Sequence, residues 1–215
     1  LVAAGLSGCG SGGEAPSTIT VFAAASLQPA FTEIAEQFKT DHPGTGVEFD
    51  FAGSSALATQ LTEGASADVF AAADTAQMAK VSDAGLLSGD PVDFASNTLV
   101  IVTAPDNPKH VTSFADLTRP ELNVVICQVP VPCGAAAQQI EDNANVHLNP
   151  ASEEPSVTDV LNKVTSGQAD AGLVYVTDAL SAGDKVATVP FPESADAVNV
   201  YPIAVLKKAS DASLA

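Results

Sequence analysis

The segment Ile19-Thr20-Val21-Phe22-Ala23-Ala24-Ala25-Ser26-Leu27 constrains this chain more than any other. Its β-branched and apolar residues read as a buried parallel strand. The run breaks at three alanines and meets a serine, after which apolar residues fall at 27, 30, 31, 34, 35 and 38, one face of a helix. Ser26 is therefore expected as the N-cap where a strand hands the chain to a helix. Such a junction presents a hydroxyl and several N–H groups without intrahelical acceptors at the positive end of the helix dipole. Taken alone it is an ordinary helix cap; repeated, it becomes an anion receptor without a charged side chain.

It is repeated. Small or capping residues stand at four helix starts: Ser26-Leu27, Gly53-Ser54-Ser55, Pro132-Cys133-Gly134 and Pro155-Ser156-Val157. No Lys or Arg lies within five positions of any of them, and Lys163, six after Val157, is the nearest. A dianion placed among them loses hydration that must be offset. Hydrogen bonds to charged groups net about 1.5–3 kcal/mol each, so six or seven give ~10–20 kcal/mol before closure and ordering are subtracted. Micromolar binding needs only about 8 kcal/mol, so neutral donors suffice.

Strand and helix patterns alternate, the signature of α/β layering. Strands are expected from 19 to the three alanines, then at 46–51, 68–73, 99–103, 122–127, 171–176 and 202–206. Helices are expected from 27, then at 56–63, 75–84, 113–117, 134–142 and 157–165, with a polar loop running through Pro155. The pattern restarts after residue 98, which predicts a two-lobed α/β fold of mixed, mainly parallel sheets. Residues 18–98 form lobe 1, 99–194 lobe 2, and 195–215 return to lobe 1. A ligand then sits in the cleft where strand ends and helix starts converge. Residues 210–215 read as the opening of a further C-terminal helix that the sequence does not continue.

Residues 1–17 read as processing sequence. Leu6-Ser7-Gly8-Cys9 resembles a bacterial lipobox, with a lipid expected on the Cys9 sulfur, and Gly10 to Ser17 is a Gly/Ser tether. The other reading is a terminus left by truncation. Cys127 and Cys133 then remain, six apart around Pro130 and Pro132. In an extracytoplasmic compartment they pair as a disulfide or stand as free thiols. The histidines at 42, 110 and 147 are too scattered for a zinc site. With 8 basic against 26 acidic residues the net charge is −18, which argues against nucleic acid and against a polybasic membrane patch. It also repels small anions at long range, so an anion site must work through short-range hydrogen bonds.

At this point a family resemblance can be stated. The opening strand and loop through Leu27 resemble the molybdate-binding proteins of ABC transporters. The similarity continues in Phe51 through Leu61, Gly64 through Phe70, Pro132-Cys133-Gly134, Ser156-Val157 and Gly172 through Ala179. The resemblance implies a type II periplasmic-binding-protein fold and an oxyanion held by five residues. These are Ser26 and Ser54 through hydroxyl and N–H, Cys133 and Val157 through backbone N–H, and the Tyr175 hydroxyl. Cys133 departs from the small alanine expected at its place. Molybdenum enters only as the oxyanion; no resident cofactor is implied. The implied protein is a monomeric, lipid-anchored extracytoplasmic receptor for molybdate or tungstate that delivers to a membrane permease and its ATPase.

Other functions make different demands. Hydrolysis by Ser26 or Ser54 needs a base, and no Gly-x-Ser-x-Gly elbow or Ser-His-Asp pattern is present. Glu153 and Glu154 read as solvated loop carboxylates, and Asp68 as structural. Iron(III) favours clustered phenolates and carboxylates, whereas Tyr175 and Tyr201 stand far apart in sequence. Hydrogen phosphate needs an acceptor that none of the five residues supplies. Sulfate shares the charge and shape of molybdate and remains the nearer alternative, separated here by the resemblance alone.

Overall fold

The computed structural model describes residues 17–210 and 212–215, so the lipobox, Cys9 and most of the tether lie outside it. The first elements are β1 (Ser17–Ala24), α1 (Gln28–Asp41), β2 (Thr45–Ala52), α2 (Ser54–Thr62), β3 (Val69–Ala71) and α3 (Thr75–Asp83). Next come β4 (Val92–Asn97), β5 (Leu99–Thr103), β6 (Val124–Cys127), α4 (Pro132–Ala144) and β7 (Ser152–Glu154). The chain ends with α5 (Val157–Thr165), β8 (Ala171–Tyr175), α6 (Val176–Ala182), β9 (Ala187–Val189) and β10 (Asn199–Val205).

The strands build two five-stranded sheets, ordered β2-β1-β3-β10-β4 and β7-β6-β8-β5-β9. Each is mixed. In the first, β1 runs parallel to β2 and β3, and β10 antiparallel to β3 and β4. In the second, β6 runs parallel to β7 and β8, and β5 antiparallel to β8 and β9. Parallel pairings are thus half of the total rather than the majority, because the crossing strand β5 and the returning strand β10 enter antiparallel. The chain passes between sheets at Thr98 and comes back between β9 and β10.

Several sequence expectations are corrected. Ser26 is not an N-cap: it sits inside a 3-10 turn, Ala25–Leu27, and Leu27 is the residue that precedes α1. β4, β7 and β9 were not expected. β4 is largely exposed and carries Asp93, Ser96 and Asn97, so it has no apolar run to read. Helices α2 and α4 each begin two residues earlier than predicted, at Ser54 and at Pro132, whose fixed φ suits a first helical position. The expected strand 171–176 ends at Tyr175, and Val176 opens α6 without an intervening loop.

The expected apolar face of α1 is only partly buried. Ala35 is enclosed and Ile34 is 59% exposed, while Phe31 and Phe38 line an apolar groove of about 390 Å³ with Val47, Phe49 and Ile203. Glu154 is not solvated. It is buried at the end of β7 and paired with Lys163 of α5. Burial pushes its carboxyl up, but Lys163 and Ser152 outweigh this and hold it below its ordinary value. Asp68 acts as the sequence reading has it, accepting from Thr20 N at 2.7 Å and from the Ser210 hydroxyl at 2.8 Å. Among the described residues no helix is long and apolar enough to cross a membrane.

Candidate functional site

The five residues singled out by the sequence come together on one small cavity, bordered also by Gly53 and Ala73. No charged side chain lines it among the described residues. Each residue arrives from a strand-to-helix junction. β1 delivers Ser26 through the 3-10 turn, β2 delivers Ser54 as the first residue of α2, and β6 leads to Cys133 in the first turn of α4. β7 leads to Val157, the first residue of α5, whose cap Ser156 accepts from Asp159 N at 3.2 Å. Tyr175 is both the last residue of β8 and the residue preceding α6. At such helix starts the N–H groups of Ser54, Cys133 and Val157 have no intrahelical acceptor.

The side chains are fixed from behind. Ser54 Oγ accepts from Ala73 N at 3.0 Å, and the Ala73 carbonyl accepts from the Asn199 amide at 2.8 Å. Ser26 Oγ lies 3.0 Å from the Tyr201 hydroxyl. Cys133 is joined to Cys127 by a disulfide that ties the end of β6 to the start of α4. The Tyr175 ring is fully enclosed, and its buried hydroxyl finds no hydrogen-bond partner of good geometry. A buried orphan hydroxyl is costly unless a ligand completes it.

The two halves of the molecule meet around the cavity. Gln77 Nε2 of α3 donates to the Pro130 carbonyl at 3.0 Å, and Asn97 Nδ2 donates to Thr177 Oγ1 at 2.7 Å. A Cβ on Gly53 would stand 2.3 Å from the Pro155 carbonyl oxygen, so only glycine permits this approach. Gly134 is as crowded: a Cβ there would lie 2.3 Å from the Gln128 oxygen and 2.6 Å from that of Cys127. Because the 127–133 disulfide limits any shift, Gly134→Ala is expected to destabilise the fold by about 1–3 kcal/mol or more, measured by thermal unfolding.

Electrostatics favour donors over bases. Burial, then the charges of Tyr201, Asp74 and Asp178, raise the Tyr175 phenol well above its ordinary value, and burial raises Tyr201 likewise. Both remain neutral donors. Asp178, which accepts from Tyr175 N at 3.2 Å, is pushed up to about 7 by burial. Among the described residues no cluster of three or more His, Cys, Asp or Glu side chains is placed to hold a metal ion. The arrangement can hold a small, fully deprotonated oxyanion, and among the described residues no titratable base lines the cavity beside Ser26 or Ser54.

Four contributors were missed by the sequence reading: Tyr201, Asp178, Gln77 and Asn199. Tyr201 was weighed only as an iron ligand remote from Tyr175, yet the two rings pack edge to face with centroids 5.8 Å apart. The signal available was that the chain has just two tyrosines, one of them on the strand that returns to the first sheet. Asp178 falls within the matched segment 172–179, but its burial is not legible there.

The family model for bacterial extracellular solute-binding proteins matches residues 19–215. The molybdate-binding protein ModA of Mycobacterium tuberculosis is 63% identical over 224 residues, covering 100% of this chain and 86% of that protein. The molybdate-binding protein ModA of Escherichia coli is 31% identical over 209 residues, 91% of this chain and 80% of its own length. Among solved structures, the periplasmic molybdate-binding protein of Azotobacter vinelandii superposes with a TM-score of 0.76 at 21% identity, over 91% of this chain and 88% of that one.

Proposed function

The chain belongs to the bacterial extracellular solute-binding proteins, and from that premise we propose that it captures molybdate or tungstate and delivers it to an ABC importer. It is a binding protein rather than an enzyme. The observation that carries the reading is the convergence of helix starts from both sheets, with the orphan Tyr175 hydroxyl, on one cavity free of charged side chains. The M. tuberculosis relative extends this from oxyanions in general to molybdate. In this reading Ser26, Ser54 and Tyr175 give hydroxyl protons, and Ser26, Ser54, Cys133 and Val157 give backbone N–H groups.

The two sheets act as lobes that close on the anion by a hinge, each lobe stabilised by contacts to the same ligand. The protein works outside the cytoplasmic membrane as a monomer. A lipid on Cys9 holds it there, beside a permease and its ATPase.

Calorimetric titration of anion-stripped protein with molybdate, tungstate, sulfate and phosphate tests the reading. Micromolar or tighter binding of the first two, with little heat from the others, is expected. Sulfate binding as tightly as molybdate would move the function to sulfate uptake. Ser26→Ala should weaken molybdate binding by about 1–3 kcal/mol, because a charged acceptor loses a donor in a dry site. Unchanged affinity in that variant would remove Ser26 from the ligand set.

A further inference from the structure

We infer that Tyr201 is a positioning residue for the oxyanion site: from outside the cavity its hydroxyl, 3.0 Å from Ser26 Oγ, donates to that oxygen and thereby commits the Ser26 proton to the cleft. The inference rests on the oxyanion reading above and adds to it a residue that does not touch the ligand. Tyr201 is 2% exposed, on β10, the strand that brings the chain back to the first sheet. Its ring is held edge-on against Tyr175 at 5.8 Å and against Phe94 at 6.4 Å, so its hydroxyl has one place to be.

The direction of the bond follows from proton counting. A serine hydroxyl has one proton to give and two lone pairs to fill. At Ser54 the question is settled by a backbone amide: Ala73 N can only donate, so the Ser54 oxygen accepts and its proton is left for the cavity. Tyr201 does the same for Ser26. A phenol is the more acidic partner and so the better donor, and the Asn97 amide and the Tyr175 hydroxyl, which also face the Tyr201 hydroxyl, are available as donors to its oxygen. An anion in the cleft then completes a run from Tyr201 through Ser26 to the ligand, in which each bond polarises the next. Both serines then have a proton to direct into the cleft, which suits a fully deprotonated oxyanion better than hydrogen phosphate.

The test is a double-mutant cycle in the full chain, read by calorimetry with molybdate. Tyr201→Phe keeps the ring and removes only the hydroxyl. It should weaken binding about 3- to 10-fold, the worth of one neutral hydrogen bond. In a Ser26→Ala background the same change should add nothing, because its route to the anion is gone. Losses that multiply across the two sites would overturn the inference, as would an unchanged affinity in Tyr201→Phe alone. Binding stoichiometry reports the folded fraction separately from affinity, so a variant that merely folds poorly lowers the number of sites and leaves the affinity of the rest untouched. If the wild type binds sulfate rather than molybdate, the molybdate reading fails while the cycle, run with sulfate, still decides the role of Tyr201. Silence of the wild type toward every oxyanion would overturn both.

Discussion

Gly53→Ala should weaken molybdate binding by at least two orders of magnitude while leaving the thermal stability of the anion-free protein close to that of the wild type. The backbone at Gly53, with φ −60° and ψ 134°, is open to any residue, so the methyl group brings no conformational strain. What it brings is a collision across the cleft. Its Cβ would lie 2.3 Å from the Pro155 carbonyl oxygen and 3.4 Å from Val131 Cγ1, both in the half built on the second sheet. Relief requires the halves to stand off by about 1 Å, and hydrogen bonds weaken steeply over such a distance. The cavity is built from donors on both sides, so the anion keeps one set and loses hold of the other. Forfeiting the N–H groups of Cys133 and Val157, at about 1.5–3 kcal/mol each, removes roughly 3–6 kcal/mol, or about 100-fold and upward in affinity. The anion-free protein need not close and so escapes the clash. Calorimetry with molybdate measures the first expectation and a melting curve without anion the second. Affinity within a few-fold of wild type would mean that the anion is held without the halves meeting at 53 and 155.

What the sequence disclosed and what it hid divide along a physical line. The β1 junction was legible because a β-branched run, three alanines and a periodic apolar face are local signals. The junctions at which α2 and α5 begin were legible for the same reason, whereas the ligand roles of all five residues came from the family resemblance. Tyr201 was not, because its hydrogen bond to Ser26 joins residues 175 positions apart and no periodicity carries such a contact. Ser26 falls in the expected turn but not at its expected backbone position, since a 3-10 turn intervenes between the strand and α1, as such turns often do at helix termini. The start of α6 was read through because Tyr175 serves the strand and the helix at once, leaving no turn residue to mark the change. Glu154 looked like a loop carboxylate beside a proline. Only the fold shows Lys163 reaching back from the following helix to neutralise it. The groove beside α1 was equally hidden, because an apolar stripe says that a face prefers cover and not how much of it is covered.

Asp178 should make the protein lose stability as pH rises from about 4 to about 7, and Asp178→Asn should abolish most of that loss. The carboxyl is buried, and the hydrogen bond from Tyr175 N offsets this only in part, so its folded pKa is pushed up to about 7. Below pH 4 the group is protonated in the folded and unfolded chains alike. Between about 4 and 7 the unfolded chain releases the proton while the folded chain keeps it. The unfolded state then binds fewer protons, and stability falls with pH. Above about 7 both forms are ionised and the slope from this group ends. That rise, from about 4 to about 7, corresponds to something on the order of 4 kcal/mol. Asparagine has no proton to lose, and its amide oxygen can still accept from Tyr175 N. The variant should therefore match the wild type near pH 4 and exceed it increasingly up to pH 7, a difference that isolates Asp178 from the other carboxylates. The same charge also faces the phenols of Tyr175 and Tyr201, so an oxyanion beside Tyr175 opposes its ionisation. Molybdate affinity in the wild type should accordingly decline as pH passes 7 and stay level in the variant. Denaturant unfolding at pH 4.5, 6 and 8 gives the stability difference, and titrations at pH 6 and 8 give the affinity. A stability difference that stays constant across that range would mean that Asp178 ionises in the fold as freely as in the unfolded chain.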